Sequence, residues 1–210
     1  MARGRSPDFD LNRESIVRTA ARLFAEQGYP GTSMSDLARA CGISKPLLYH
    51  YVDDKYQLLF EITDGHVSRL EAIVAEVDAL KLAPAERLRQ LIRRFVHEYA
   101  QARHDHGVLT QDVKFLETRD RNRVLKKERH VVAAFAATIG QARPELARAA
   151  LDKPLTMLLF GMINWMFTWL RPDGPLGHDD MAPIVADLFL GGLGAVRAPA
   201  AASTSVEVPD

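Results

Sequence analysis

The side chains between positions 44 and 55 are of the types that proteins use to contact DNA. Lys45 and Lys55 can neutralise phosphates, and Tyr49 can donate its hydroxyl to a phosphate oxygen. His50 can bond to a phosphate or to a base edge, whereas Leu47 has no polar atom and suits a thymine methyl in the major groove. These residue types predict a surface that positions the protein on a duplex and reads its sequence.

Two short helices joined by a tight turn are predicted to hold these side chains. Ser33 and Asp36 form a helix-capping pattern, in which a side-chain oxygen accepts an otherwise unpaired backbone N–H. Gly42 supplies the left-handed residue that ends the first helix. Ser44 caps the second helix, and Pro46 is tolerated in its first turn because those N–H groups have no intrahelical partner. The pattern is that of a helix-turn-helix.

Periodicity divides the second helix into two faces. Leu48, Tyr51 and Val52 stand at i, i+3 and i+4 and are predicted to face the core. The remaining side chains are predicted to face outward, and they are Lys45, Leu47, Tyr49 and His50. The alternative is that any short pair of amphipathic helices gives this pattern, so the motif alone leaves the function open.

The stretch of residues 13–55 resembles the DNA-binding domain of the tetracycline-repressor (TetR) family. The motifs that carry the resemblance are Phe24, Gly28-Tyr29, Gly31-Thr32-Ser33, Asp36-Leu37-Ala38, Gly42-Ile43-Ser44-Lys45, Leu48-Tyr49-His50-Tyr51 and Lys55. The resemblance implies that a preceding helix, over residues 12–27, supports the motif. It also implies operator contacts from Thr32, Ser33, Ser44, Lys45, Tyr49, His50 and Lys55. Val52 departs from the Phe usual in the family, which concerns the packing beneath the helix rather than the DNA contact.

Any electrostatic attraction to DNA must come from local groups of basic residues, because the chain as a whole is neutral. The 210 residues carry 27 Lys and Arg against 27 Asp and Glu, so the formal net charge is zero. Arg3 and Arg5 lie in a predicted flexible arm over residues 1–11, where they either reach a minor groove or form an exposed solubilising tail. An apolar content of 47% excludes a disordered protein.

Cysteine usage predicts the compartment. Cys41 is the single cysteine, so no intrachain disulfide can form and a reducing cytoplasm is expected. Its place on an apolar helix face predicts a buried thiol and disfavours a redox-sensing role. No apolar segment follows the first residues, so no signal peptide is expected.

The rest of the chain reads as helix, and the predicted fold class is all-α. A connecting helix is expected over residues 55–81, with Gly65 as a weak point, and Pro84 opens the next helix. Further helices are expected over residues 106–118 and 120–142.

These helices group into two predicted domains. A three-helix DNA-binding domain is expected over residues 12–59 and a helical ligand-binding and dimerisation domain over residues 60–194. A disordered tail is expected over residues 195–210, which are rich in Ala, Pro, Ser and Thr. The apolar C-terminal helices cannot all bury their apolar faces inside one small domain, which predicts a homodimer. Two identical recognition helices in turn predict a palindromic operator.

The most apolar segment covers residues 154–170. A membrane span is rejected, because the stretch is shorter than the ~20 residues that a bilayer needs and contains Asn164. A helix that is apolar all round is predicted to be buried in the centre of its domain, in a subunit interface, or in both. Trp165 and Trp169 are predicted to share a face beside Asn164, with Arg171 just past the helix end. These four either line a pocket for a ligand with an apolar body and an anionic end, or are core aromatics with a capping Arg.

A second, shorter resemblance concerns the C-terminal region. Its motifs are Gly161-Met162, Asn164-Trp165, Trp169, Arg171-Pro172, Gly174-Pro175-Leu176 and Leu190-Gly191-Gly192-Leu193. They are similar to a TetR branch whose members often respond to acyl-CoA thioesters in fatty-acid, aromatic-acid or steroid catabolism. The resemblance implies a repressor released by an acyl-CoA; the alternative is an efflux-gene repressor induced by drug-like compounds. The basic run over residues 119–129 either receives CoA phosphates or forms a solvated helix face.

An enzyme or carrier is the rival class. His104 and His106, with His97 and Asp112, supply residue types that ligate metals. Side chains that are two residues apart on a helix point in opposite directions, and Gly107 suggests a loop. No metal site is therefore predicted. We find no glycine-rich phosphate loop, nucleophile elbow or acid–base pair. Neither catalysis nor a cofactor is therefore expected.

Overall fold

The computed structural model describes residues 7–171 and 174–197, and all regular elements in that part of the chain are helical. The α-helices are α1 (Pro7–Gln27), α2 (Met34–Ala40), α3 (Lys45–Tyr51), α4 (Lys55–Ala79), α5 (Pro84–Gln101), α6 (Arg103–Asp112), α7 (Thr118–Ala142), α8 (Pro144–Arg148), α9 (Asp152–Asn164), α10 (Met166–Trp169) and α11 (His178–Ala195). A 3₁₀ turn, Val113–Phe115, separates α6 from α7. The predicted all-α class is confirmed.

The caps of the helix-turn-helix are those that the sequence predicted. Asp36 donates its backbone N–H to Ser33 Oγ at 3.2 Å, while Ser33 donates its own N–H to Asp36 Oδ2 at 3.1 Å. Gly42 has φ +68° and lies between α2 and α3, a conformation that a residue with a Cβ rarely adopts. Ser44 Oγ accepts the N–H of Leu47 at 3.3 Å and so opens α3. These local bonds fix the angle at which α3 leaves the turn.

The first helix is longer than predicted. It begins at Pro7, so residues 7–11 are helical rather than part of a flexible arm. Proline is pre-organised for the first turn of a helix, and the Phe9 ring packs against the Tyr51 ring at a centroid distance of 4.7 Å. The remaining arm residues, with Arg3 and Arg5, lie outside the described residues, as do Pro172 and most of the predicted tail.

Helix α4 joins two hydrophobic clusters. Its first half contributes Leu58, Leu59 and Ile62 to an N-terminal cluster shared with α1, α2 and α3. Its second half contributes Leu70 and Val77 to a C-terminal cluster built mainly from α5, α7, α9 and α11. Helix α6 and the start of α7 also pack into the N-terminal cluster. The two halves of the molecule therefore meet along α4 and α6, without a flexible linker between them.

The apolar segment predicted as one buried helix is interrupted and partly exposed. Helix α9 ends at Asn164, Trp165 follows as its cap, and α10 is a separate single turn. In the single chain Trp165 is 65% exposed and Trp169 is 52% exposed. Only one side of α9 packs against the C-terminal cluster, which is why its opposite side stays open. Within the described ranges, no helix is long and apolar enough to cross a membrane.

Candidate DNA-binding surface and ligand cavity

Helix α3 presents the polar face that the periodicity predicted. Leu48 is fully buried beneath it, and Val52 is buried just after its end. Tyr51 is only half-buried, because its hydroxyl accepts a hydrogen bond from Asn12 Nδ2 at 3.2 Å at the edge of the core. The side chains left in solvent are Lys45, Leu47, Tyr49 and His50. They form a continuous surface, called here the α3 face.

The two capping serines flank the α3 face. Both are exposed at the start of a short helix, where backbone N–H groups favour anions. The Ser33 hydroxyl donates to Asp36 Oδ2 at 2.5 Å, and this hydrogen bond is the main reason that the pKa of Asp36 lies below its usual value. The Ser44 oxygen accepts from Leu47 and leaves its own proton available to a phosphate. Ser44 is therefore better placed than Ser33 to donate to DNA.

Thr32 and Lys55 lie differently from the prediction. The Thr32 side chain is buried and donates to Gly28 O at 3.1 Å, so its hydroxyl cannot reach an operator in this conformation. Lys55 Nζ donates to Tyr29 O and Thr32 O, both at 2.9 Å, and lies 4.3 Å from the Tyr29 ring centroid. Both residues brace the turn between α1 and α2. The family resemblance implied operator contacts from both residues, but a resemblance does not show whether a side chain is buried.

A cavity of ≈ 240 Å³ lies between α4, α5, α6, α7 and α9. Its apolar wall includes Leu70, Leu109, Val131, Val132 and Phe160. Its polar lining comes from Tyr99, His106, Thr110, Glu128 and Asn164. Met157 lines the cavity and is also exposed, so it marks the mouth.

Only one of the four predicted ligand residues lines this cavity. Asn164 does so from the end of α9. Trp165, Trp169 and Arg171 are exposed and absent from the lining, which corrects the prediction that the four share a pocket. The prediction assumed one continuous helix, in which a spacing of four residues gives a common face. The end of α9 at Asn164 removes that condition.

Two histidines form a buried chain beside the cavity. His66 Nε2 and His106 Nδ1 lie 3.2 Å apart, and His106 Nε2 lies 3.3 Å from the backbone oxygen of Asn164. A carbonyl oxygen can only accept, so His106 carries its proton on Nε2 and its Nδ1 accepts from His66. Burial, with repulsion from His106 and Arg69, lowers the pKa of His66 to about 2. Burial lowers the pKa of His106 to about 4, against the raising effect of its bond to Asn164.

A polar contact links the cavity helix to the helix-turn-helix. Helix α6 lines the cavity with His106, Leu109 and Thr110, and two residues later Asp112 Oδ2 accepts the backbone N–H of Tyr29 at 3.1 Å. The Tyr29 ring packs against the Phe115 ring at 5.7 Å. Asp112 is almost fully buried, and this desolvation raises its pKa. Any shift of α6 must therefore strain the turn that precedes α2.

The basic run on α7 is partly occupied by ion pairs. Lys127 Nζ lies 2.6 Å from Asp64 Oδ1, and Arg123 Nη2 lies 3.2 Å from Asp64 Oδ2. These pairs tie α7 to α4. The exposed basic side chains of the run that do not take part in these pairs are Arg119, Lys126 and Arg129.

An apolar groove runs along the outer sides of α9 and α11. It has a volume of ≈ 340 Å³ and is lined by Leu155, Leu158, Met162, Leu188 and Phe189 among others. Leu158 is 66% exposed and Leu188 is 65% exposed. We call this surface the α9–α11 face. An exposed apolar patch of this kind on a globular chain marks an interaction surface.

Family comparisons agree with this architecture. Residues 81–193 match the family model described as "Tetracyclin repressor-like, C-terminal domain", and residues 16–62 match "Bacterial regulatory proteins, tetR family". The chain belongs to the TetR family. The matched segments correspond to the two parts of the molecule that α4 joins, with the helix-turn-helix in the first and the cavity in the second.

Known TetR-family members are similar along most of the chain. A TetR-family transcriptional regulator from Bordetella parapertussis 12822 is 36% identical, with a TM-score of 0.82, over 89% of this chain and 98% of that one. The transcriptional repressor KstR2 of Mycobacterium tuberculosis (strain ATCC 25618 / H37Rv) is 28% identical over 86% of this chain and 92% of its own. AibR, solved in complex with isovaleryl coenzyme A and operator DNA, is 28% identical, with a TM-score of 0.72, over 90% of this chain and 100% of its own.

The sequence pattern did not predict the buried pair of His66 and His106, or the contact of Asp112 with Tyr29, in this TetR-family protein. His66 stands four residues from both Ile62 and Leu70, within the apolar stripe of α4, and that spacing was the available signal. His106 and Asp112 were considered only as metal ligands. The structure buries His106 and leaves His104 exposed, so the two do not share a site. No group of three or more His, Cys, Asp or Glu that could hold a metal occurs among the described residues.

Proposed function

We propose that this protein is a ligand-responsive repressor that binds a palindromic operator as a homodimer and is released by an acyl-CoA or a related thioester. The observation that carries the proposal is the double role of α6. Its residues from His106 to Thr110 line the cavity, and its last residue, Asp112, holds the turn before α2 through Tyr29. An occupant of the cavity and the orientation of α3 are thereby coupled, and coupling of this kind is reciprocal.

The size of the cavity favours an acyl group over a drug-sized inducer. Drug-sized ligands occupy pockets of roughly 300–1,000 Å³. The ≈ 240 Å³ found here suits the acyl part of a thioester, with the coenzyme extending past Met157 into solvent. AibR, whose structure contains isovaleryl coenzyme A, supports the same inducer class. A drug-sized inducer, as the efflux-repressor alternative requires, would not fit within this cavity alone.

Release of a preformed operator complex tests the inducer class. We expect acyl-CoA thioesters with short acyl chains to dissociate the complex, and free coenzyme A to have no effect, because only the acyl group reaches the cavity. The measurement is a fluorescence anisotropy titration with thioesters of increasing chain length. If none of them releases DNA while a neutral hydrophobic compound does, the efflux-repressor alternative replaces this proposal.

The α9–α11 face is the proposed dimer interface. Leu158→Glu is expected to raise the dimer dissociation constant by at least about 100-fold, because burying a leucine contributes about 1.5–3 kcal/mol and a two-fold interface contains it twice. Sedimentation velocity at micromolar concentration measures the change. Leu80→Glu is the matched control, since Leu80 is also exposed but lies at the end of α4. A Leu158→Glu protein that stays dimeric would place the interface elsewhere.

A further inference from the structure

Three polar groups in the cavity lack the partners that buried polar groups usually have. Asn164 Oδ1 is buried and forms no hydrogen bond within the described residues. Neither the Glu128 carboxylate nor the Tyr99 hydroxyl has a hydrogen bond or an ion pair to another described residue. In contrast, Thr110 Oγ1 in the same lining donates to His106 O and Gly107 O of its own helix, both at 3.0 Å. A buried polar atom in a native protein almost always has a hydrogen-bond partner, so the unpaired Asn164 Oδ1, with Glu128 and Tyr99 in the same lining, points to a ligand that pairs with these groups.

The chemistry of the three groups restricts the ligand. A carboxylate and an amide oxygen accept hydrogen bonds, so the ligand must offer a donor. The Tyr99 hydroxyl stays protonated, because burial and the nearby charges of Glu128 and Glu98 raise its pKa, and it can therefore donate to an oxygen of the ligand. A hydroxyl group both donates and accepts through one oxygen atom.

Charged ligand groups fit this lining less well. A carboxylate on the acyl chain would face Glu128 at close range and be repelled. An ammonium group could pair with Glu128, but it has no lone pair to accept the proton of the Tyr99 hydroxyl, so it would leave that donor without a partner. The remaining candidate is a neutral donor.

We infer that the inducer's acyl group carries a hydroxyl, whose proton is accepted by Glu128 or Asn164 Oδ1 and whose oxygen accepts from Tyr99. This inference rests on the proposed function, and it narrows the inducer class from acyl thioesters to hydroxyacyl thioesters. An unsubstituted acyl group of equal length fills the same volume but leaves the three polar groups unpaired. Sites built to bind a hydroxyl reject the analogue that lacks it.

A matched pair of ligands tests the inference. 3-Hydroxybutyryl-CoA and butyryl-CoA differ by one hydroxyl, and we expect the first to bind at least about 10-fold more tightly, which corresponds to one hydrogen bond of about 1.4 kcal/mol. Isothermal titration calorimetry gives both affinities without DNA, and operator release is measured in parallel. Succinyl-CoA and β-alanyl-CoA add an anionic and a cationic acyl group.

Variants assign the preference to the cavity. We expect either Asn164→Leu or Glu128→Leu to abolish the preference for the hydroxyl while the protein stays folded, because one of these two side chains accepts the hydroxyl proton and leucine cannot. Tyr99→Phe is expected to reduce it. Thr156→Val is the matched control and should leave the preference unchanged, since Thr156 is buried on α9 outside the cavity lining and its hydroxyl donates to Asp152 O.

The outcomes separate the two proposals. If butyryl-CoA and 3-hydroxybutyryl-CoA bind and release the operator equally, or if a charged acyl group is preferred, the hydroxyacyl inference is overturned and the proposed function stands. If no thioester binds or releases DNA, both fall. A preference that survives in Asn164→Leu and Glu128→Leu would also overturn the inference, because the hydroxyl would then be recognised elsewhere.

Discussion

Replacing Lys45 by Ala is expected to weaken operator binding about 100-fold. Lys45 is exposed in the first turn of α3, where its ammonium group can reach a phosphate when the helix enters the major groove. A dimer loses two such contacts, and two charge-assisted hydrogen bonds of about 1.5 kcal/mol each give about 3 kcal/mol. The slope of log affinity against log salt concentration should also fall by about 1.8, because two fewer counterions are released. Fluorescence anisotropy at several salt concentrations measures both quantities.

Other substitutions on the α3 face separate positioning from base recognition. Tyr49→Ala should weaken binding to all sequences, whereas Leu47→Ala should mainly relax the preference for a thymine. Lys153→Ala is the control, since it removes the same charge from an exposed position in the first turn of α9. Operator affinity that is unchanged in both Lys45→Ala and Tyr49→Ala would mean that the contact face is assigned wrongly.

The helix-turn-helix could be predicted because its determinants are local. Each determinant acts on residues close to it along the chain, and all of them can be recognised by residue type: the Ser33 cap, the left-handed Gly42 and the Ser44 cap. The face of α3 then followed from helical periodicity alone. The exceptions were Thr32 and Lys55, whose hydrogen-bond partners are backbone carbonyls of the turn between α1 and α2. Periodicity cannot reveal such partners.

The ligand site depended on contacts that are distant in sequence. His66 and His106 are separated by 40 residues, and Tyr29 and Asp112 by 83. No helical pattern encodes these pairings, because they arise only when α4, α6 and α9 pack together. Trp165 and Trp169 do not line the cavity for a related reason, since α9 ends where the sequence showed no break in its apolar run. Asn164 does line it, and its role in ligand binding stays a prediction.

The proposed route of induction runs through two helices. Helix α4 contributes to both hydrophobic clusters and so connects the cavity to the helix-turn-helix. The structure adds α6, which shares the histidine pair with α4 and bonds to the turn before α2 through Asp112. The two helices are held together by polar bonds as well as by the N-terminal cluster, so we propose that they move as one unit. The histidine pair is therefore one of the contacts that hold the two helices together.

Lowering the pH from 7.5 to 5 is expected to reduce the stability of the protein steeply. His66 and His106 are neutral in the folded state, with pKa values of about 2 and about 4, whereas both have a value of about 6.5 when unfolded. The unfolded chain therefore binds more protons below pH 6.5, and stability is lost as the pH falls from there towards the folded-state values. At pH 5 the loss is about 2 kcal/mol for each histidine, since the 1.5-unit interval below 6.5 corresponds to 1.36 kcal/mol per unit.

A difference between variants isolates this effect from other titrating groups. His106→Gln keeps a donor for the Asn164 carbonyl but removes one titrating ring, so its stability should fall by about 2 kcal/mol less than that of the wild type over the same pH interval. His104→Gln is the control, because His104 is exposed and its removal should leave the pH dependence unchanged. Urea unfolding at pH 7.5 and pH 5, at one fixed protein concentration, gives the comparison, since the proposed dimer would make stability concentration-dependent. Equal losses in the wild type and His106→Gln would show that this ring is protonated in the folded state, and the neutral histidine chain beside the cavity would then have to be abandoned.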